Sequence, residues 1–328
     1  MNDAEKNKGR GRRSFGKFVI RKLAQAVLAM LGASVLVWLL VPLAPGDTAT
    51  RVLQARGVEN PRPVEIVAVR EELQLDRPLI TQYFIWLNRA VRGDLSVSYE
   101  SGKPVLEEFA ARLPATVLLA TVALVLAILL ALSGAVASAA FYEKFPDHAI
   151  QFATQAGAAM PAFLLALLLL QFVVVAFGFG NVIAKDSFSD VWLPAVCLAI
   201  GRAADWTQIL RANLLEALNA RFVLTAKARG ASRGRILLLY ALPNALLPFL
   251  TVIGIGIGGL LGGAAIVETV FSWNGIGSYA VSAIAARDLP VVQGFVVVST
   301  LIYIVSSFAV DLIGASIDPR LRESKMFV

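Results

Sequence analysis

Apolar runs long enough to cross a bilayer recur along this chain, and no other feature restricts its fold so strongly. Residues 23–43, 115–136, 158–177, 245–267 and 291–314 are dominated by Leu, Val, Ile, Ala, Phe and Gly. About 20 such residues span the hydrocarbon core as a helix. Lipid offers the backbone no hydrogen bonds, so each run must satisfy its own N–H and C=O groups, and the helix does that within one segment. A sixth run begins at Trp192 and is interrupted by Arg202 and Asp205 before continuing through Leu210. With 57% hydrophobic and only 16% charged residues, the composition excludes an ordinary soluble domain. The predicted architecture is therefore an all-α polytopic membrane protein with six transmembrane helices. It divides into a basic N-terminal segment (1–22), a membrane domain (23–322) and a short tail (323–328).

Charge orients the spans. The N-terminus carries Lys6, Lys8, Arg10, Arg12, Arg13, Lys17, Arg21 and Lys22 against Asp3 and Glu5, which places it on the cytoplasmic side. Its first dozen residues are expected to be disordered. The run that follows is too long for a signal peptide, whose apolar region is about 7–15 residues, and is read as a retained first span. Residues 44–112 are polar and nearly balanced in charge, which suits an extracytoplasmic segment. Pro114 is expected in the first turn of the second span. The net charge of +7 is explained by basic residues at cytoplasmic span ends, and no nucleic-acid-binding motif accompanies it. A single cysteine, Cys197, excludes an intrachain disulfide. A single histidine, His148, with no second His or Cys pair nearby, supports no metal site.

The other basic segment, residues 211–248, holds Arg211, Arg221, Lys227, Arg229, Arg233 and Arg235 with Glu216 as its only acid. It too belongs on the cytoplasmic side, so both termini lie inside. Residues 217–229 are good helix formers. Gly230 then supplies a left-handed stop, and a second helix is expected to begin near Ser232. Pro243 and Pro248 should disturb the re-entry into the membrane.

This segment resembles the cytoplasmic "EAA" loop of permease subunits in binding-protein-dependent ABC importers. Gly230, followed about ten residues on by Tyr240-Ala-Leu-Pro243, fits that family's spacing. The Ala-Lys-Ala-Arg-Gly and Pro-Asn-Ala-Leu-Leu-Pro runs are similar to its dipeptide/oligopeptide/nickel branch. Two outer segments carry the same resemblance. LQLDRPLITQYFIWLNRAVRGDLSVSY (73–99) has Gln74 and Ser96 where the family has Gly. ETVFSWNGIGSYAVSAIAARDLP (268–290) has Asn274 for Pro and Leu289 for Tyr. Ser96 puts a positive-φ turn in doubt, whereas Asn274-Gly275 still favours one. The tail DLIGASIDPRLR (311–322) resembles the family's C-terminal signature.

The resemblance implies a coupling helix that sits in a groove of an ATPase subunit. It assigns ATPase coupling to Arg221, Ala226, Lys227, Ala228, Arg229, Gly230 and Pro243, with small residues at 226, 228 and 230 leaving room for the partner. It also implies a second, homologous permease subunit, two ATPases, an extracytoplasmic solute-binding protein and membrane lipid as partners, in the inner membrane. ATP and Mg²⁺ would be bound by the ATPases. This chain has no G-x-x-x-x-G-K-[ST] phosphate loop, so no enzymatic activity and no cofactor of its own are expected. Peptides are the implied cargo, with nickel, another metal complex or glutathione as alternatives. An intramembrane enzyme would need paired acids or a His cluster, and a channel or secondary transporter would not need this basic loop.

Candidate pathway residues are Arg202, Asp205, Gly258, Gly262 and Glu268. Arg202 and Asp205 are three apart and share a helix face. They either line the pathway near mid-bilayer or anchor the span at the cytoplasmic interface. The Gly254/Gly258 and Gly258/Gly262 spacings suit close helix packing, a smooth pathway wall, or both.

Overall fold

The computed structural model describes residues 3–43, 46–178 and 188–317. The tail signature beyond residue 317 and the tail at 323–328 lie outside the described residues, as does most of the stretch 178–190 expected as an outer loop. Among the described residues, regular structure is helical apart from one isolated bridge between Val97 and Pro104. The helices are α1 (Asp3–Leu43), α2 (Thr48–Ala55), α3 (Pro63–Glu72), α4 (Leu79–Val91), α5 (Val105–Ala140) and α6 (Phe145–Ala159). After them come α7 (Ala162–Ala176), α8 (Trp192–Leu218), α9 (Arg221–Ala228), α10 (Arg233–Val270), α11 (Ile276–Ala286) and α12 (Leu289–Ile317).

Four helices, α1, α5, α10 and α12, are long and apolar enough to cross a membrane, and α6 with α7 make a fifth if counted as one. That pair is bent by 107° at Met160–Pro161, near the start of the stretch predicted as the third span, 158–177. Proline disfavours helical geometry in the residue before it, so α6 stops and α7 restarts in a new direction. Two further boundaries differ from expectation. α1 already begins at Asp3, so the N-terminal residues expected to be disordered are helical, consistent with their Lys, Arg and Glu content. α5 begins at Val105, so Pro114 lies inside the helix and not in its first turn.

α8 is the centre of the bundle, packing against α5, α6, α7 and α10. Its approach to α5 rests on small side chains. Ala123, Ala127, Ala131 and Ala135 recur every fourth residue on one face of α5, and each is wholly buried. Gly134 extends that contact, since a Cβ there would lie 3.0 Å from Thr207 Cγ2 on α8. Within lipid the gain from such contacts is van der Waals packing, which requires backbones to come close.

The segment between α1 and α5, predicted to be extracytoplasmic, folds as a separate layer. α2 and α3 bury Ala49, Val52, Leu53 and Val69, with Tyr99 packed against them. Burial there pushes the Tyr99 hydroxyl up to about 12, with nearby Asp288 adding to the shift and Arg51 opposing it. The layer is held to the bundle by Ser34 Oγ and Tyr83 Oη at 2.9 Å, and by the Ser98 hydroxyl donating to Asp288.

α3 ends in paired bonds from Leu75 N to Arg70 O and from Gln74 N to Glu71 O, 2.9 and 3.1 Å long. This is the Schellman stop, with Gln74 at the left-handed position normally held by glycine. Gln74 has φ 56° and Ser96 has φ 68°, so both turns persist without the glycines. The left-handed geometry costs an L-residue roughly 1–2 kcal/mol, and glycine's extra unfolded-state entropy offsets about 0.5–1 of that. Gln74→Gly and Ser96→Gly should each therefore stabilise the protein by up to about 1 kcal/mol. The check is the thermal unfolding midpoint in detergent, and a lower midpoint for both variants would contradict the turn assignment.

Candidate functional site

The basic segment folds as the end of α8, a two-residue link, the short helix α9, and the start of α10. α9 closes with Gly230 N bonded to Lys227 O and Ala231 N bonded to Ala226 O, with Gly230 at φ 76°. Gly230 is thus the left-handed stop, and no atom lies within 4 Å of where its Cβ would be. Ser232 accepts a hydrogen bond from Arg235 N at the start of α10. Pro243 does not break the helix. Residues Ile236–Ala241 adopt wider π-helical winding just before it, which accommodates a residue with no N–H to donate.

An eight-residue helix presents few residues to its own protein, and here they are Val223 and Ala226. Both are buried against Ile236, flanked by Leu218 and Ala231. Ala226 therefore serves packing inside the chain, and the space at 226 is not open to a partner. Arg221, Lys227, Ala228, Arg229 and Gly230 are exposed, as is Pro243. Between them stand two bare apolar side chains that sequence reasoning did not single out, Phe222 and Leu224, the latter 65% exposed. Two apart on the helix, these side chains lie on opposite flanks of Val223; Leu224 shares the outward face with Arg221 and Ala228, so that face joins an apolar side chain to a basic one, a pattern suited to a protein partner.

The pathway candidates fall into two groups. Gly258, Gly262 and Glu268 line one cavity of about 390 Å³ between α5, α10, α11 and α12, together with Thr116, Phe295 and Tyr303. Arg202 and Asp205 do not line it. They form an i,i+3 ion pair of 3.6 Å on α8, and the Arg202 guanidinium lies directly over Gly259. Glycines on α10 serve both faces. Gly254 and Gly258 meet Val310 and Tyr303 on α12, while Gly256, Gly259 and Gly263 meet Trp206, Arg202 and Leu198 on α8.

Glu268, expected just beyond the fifth span, lies within α10 and is completely buried. Its carboxylate accepts from Thr116 Oγ1 at 2.7 Å and from Gly277 N and Ser278 N at 2.8 and 2.9 Å. It caps the N-terminus of α11, whose free N–H groups and positive dipole end favour an acid. The close approach requires Gly275, because a Cβ there would strike the carboxylate. The left-handed residue of this turn is Ser272, φ 52°, and not the predicted Asn274-Gly275 pair, since Gly275 has φ −97°. Trp273 donates to Ala115 O at 3.0 Å and fastens the same turn to α5.

Sequence reasoning missed a second buried acid. Asp147, at the start of α6, is fully buried and receives Arg211 Nε and Nη2 at 2.9 and 2.8 Å. Arg211, read from sequence as a loop residue, belongs to α8. Its partner lies 64 positions earlier, and only the fold brings the two together.

Residues 123–323 match the family described as the binding-protein-dependent transport system inner membrane component, and residues 15–120 match its N-terminal family. The chain is 33% identical over 305 residues to the glutathione transport system permease protein GsiC of Escherichia coli K12, covering 93% of this chain and 98% of that one. The same figures hold for GsiC of Shigella dysenteriae. Among solved structures, the MetNI methionine ABC transporter in an inward-facing conformation has a chain that superposes with a TM-score of 0.55 at 18% identity. The match covers 64% of this chain and 96% of that one. An amino acid ABC transporter superposes with a TM-score of 0.53 at 17% identity, over 64% and 94% of the two chains.

The glycine contacts distinguish packing from open wall. A Cβ at Gly256 would lie 2.5 Å from Trp206 Cζ2, and Trp206 is buried edge-on against Phe249. Gly256→Ala should destabilise the protein by about 1–3 kcal/mol through overpacking. Gly262, with nothing within 4 Å, should accept alanine without loss and with a gain of up to about 1 kcal/mol, since alanine is the better helix former. Thermal melts of the two purified variants check this, and equal behaviour would contradict the packing described.

Proposed function

The chain belongs to the binding-protein-dependent transport system inner membrane components, and from that premise we propose how it works as an ABC importer permease. It forms half of a pathway for a small peptide-like solute, and α9 couples that pathway to ATP hydrolysis in partner subunits. The observation that carries the coupling assignment is the exposed Leu224, 65% accessible and on the outward face with Arg221 and Ala228, on a helix whose inner face is packed on α10. Two ATPases bind below, a second homologous permease subunit completes the pathway, and a solute-binding protein docks on the outer layer.

Six spans complete the reading: α1, α5, α7, α8, α10 and α12. Parity supports it. Counting α7 and α8 together keeps the basic N-terminus and the basic α8–α10 segment on one side, as the positive-inside rule requires. Counting one without the other would separate them. α8 has 27 residues, about 40 Å at the helical rise, and its charges within the bundle are paired as Arg202–Asp205 and Arg211–Asp147. Pairing is what makes ionised groups tolerable inside a membrane protein.

For the cargo, the glutathione permeases among the relatives favour a small peptide, since glutathione is itself a tripeptide. The cavity that joins Gly258, Gly262 and Glu268 is the pathway wall in this reading. Arg202 and Asp205 act as a second polar station on α8.

Two experiments test the proposal. Leu224→Asp places a charge at the centre of the ATPase contact, so co-purifying ATPase should fall at least tenfold while the amount of the chain in the membrane stays constant. ATPase retained at the parental level would remove α9 from the coupling role. In cells producing the complete transporter, uptake of labelled glutathione should require both ATP and this chain and should be competed by small peptides. Uptake that persists in cells depleted of ATP would contradict the importer reading.

A further inference from the structure

Beside the coupling helix lies a polar cluster that no step described so far uses. The Asp147 carboxylate receives four groups from three elements. They are Arg211 Nε and Nη2 of α8, the hydroxyl of Ser138 near the end of α5, and the Glu143 N–H of the α5–α6 turn. Arg211 Nε also reaches Ser138 Oγ at 2.8 Å, and the guanidinium stands 5.6 Å from the centre of the Tyr142 ring. Asp147 and Ser138 have no solvent exposure, and the Arg211 side chain retains 19%.

Stability alone gives no reason for such a cluster. Replacing a buried ion pair with apolar side chains is often neutral or stabilising, while breaking one by removing a single partner is costly. What the pair adds is direction, because two parallel N–H···O bonds fix one orientation of guanidinium against carboxylate. The neighbouring contacts lack this property. Between α6 and α8, Gly157 faces Ala204 at 3.4 Å, and between α5 and α8 a row of alanines meets the helix. Smooth surfaces of that kind can slide along each other.

Position gives the cluster its role. Arg211 is seven residues from the end of α8 at Leu218, about 10 Å at the helical rise, and α9 begins at Arg221. We propose that Asp147 and Arg211 are positioning residues that lock α5 and α6 to the coupling end of α8. A displacement of α9 then moves three helices as one body. The proposal rests on the assignment of α9 as the coupling helix. Breaking the lock lets α8 follow the ATPases while α5 and α6 lag, so hydrolysis continues but loses its link to the outer face.

The test uses the complete transporter in proteoliposomes, with both permease subunits, the ATPases and the system's own solute-binding protein as purified. Basal and binding-protein-stimulated ATP hydrolysis are compared for the parent, Asp147→Asn and Arg211→Lys. The expected result is basal hydrolysis within about twofold of the parent and stimulation at least fivefold smaller. Stimulation at the parental level would overturn the proposal, as would basal and stimulated rates falling by one common factor. If a single variant assembles poorly, the neutral double Asp147→Asn with Arg211→Gln keeps hydrogen bonding and leaves no unpaired charge. Recovered yield with stimulation still lost supports the lock, whereas full stimulation overturns it. Failure of all three variants to assemble would make the cluster purely architectural and also overturn the proposal. A parent complex without ATPase or without stimulation is recognised before any substitution. It would instead refute the importer reading, and the lock with it.

Discussion

The structure depends on how closely α8 approaches the helices on either side of it. Inside a bilayer there is no water to expel from between helices, so their association comes from packing and from hydrogen bonds. On one side the alanines of α5, spaced four apart, present a flat face, and on the other Gly256, Gly259 and Gly263 of α10 admit Trp206, Arg202 and Leu198. Larger side chains at these positions would push α8 away from both neighbours. The rest follows from that placement: α9 is hung between α8 and α10, and Arg211 is brought within reach of Asp147.

The same placement explains why the chain can carry charge through its centre. The described charges of α8 within the bundle are neutralised locally, by Asp205 for Arg202 and by Asp147 for Arg211. At the end of α10, Glu268 is held by a hydroxyl and the backbone N–H groups of α11. The Arg202–Asp205 pair stays within α8, whereas the buried acids Glu268 and Asp147 each fasten elements together. Glu268 does so where α10 meets α5 and α11, and Asp147 where α5 and α6 meet α8. Between these two polar fastenings α5 meets α8 through a row of alanines, while Arg202 and Trp206 of α8 sit against glycines of α10.

Much of this was legible in the residues. Composition and run length identified a helical membrane protein because lipid leaves so few alternatives. Gly230 and Ser232 marked the end of α9 and the start of α10 through simple backbone rules. What escaped was either long-range or rotational. The Asp147–Arg211 pair joins residues 64 positions apart, which no local pattern reports. The inward orientation of Ala226 was accessible, since Val223 and Ala226 are the i,i+3 apolar pair of a short helix, but small size alone suggested a partner's groove. The prolines act in different ways. Pro243 disturbs the helix as expected, by a stretch of π winding that leaves it continuous, whereas the sharp bend at Pro161 was not anticipated. Gln74 and Ser96 show that a turn outlasts its glycine when the surrounding bonds determine the backbone.

The central claim is that α9 meets the ATPase through Leu224 while the outer layer faces away from it. Photocrosslinking from a reactive amino acid placed at Leu224, and separately at Val64 on α3, where the side chain is 79% exposed, tests this directly in intact membranes. The account predicts a covalent adduct with the ATPase subunit from position 224 and none from position 64. An adduct from position 64 with none from 224 would reverse the orientation of the chain in the membrane and contradict the account.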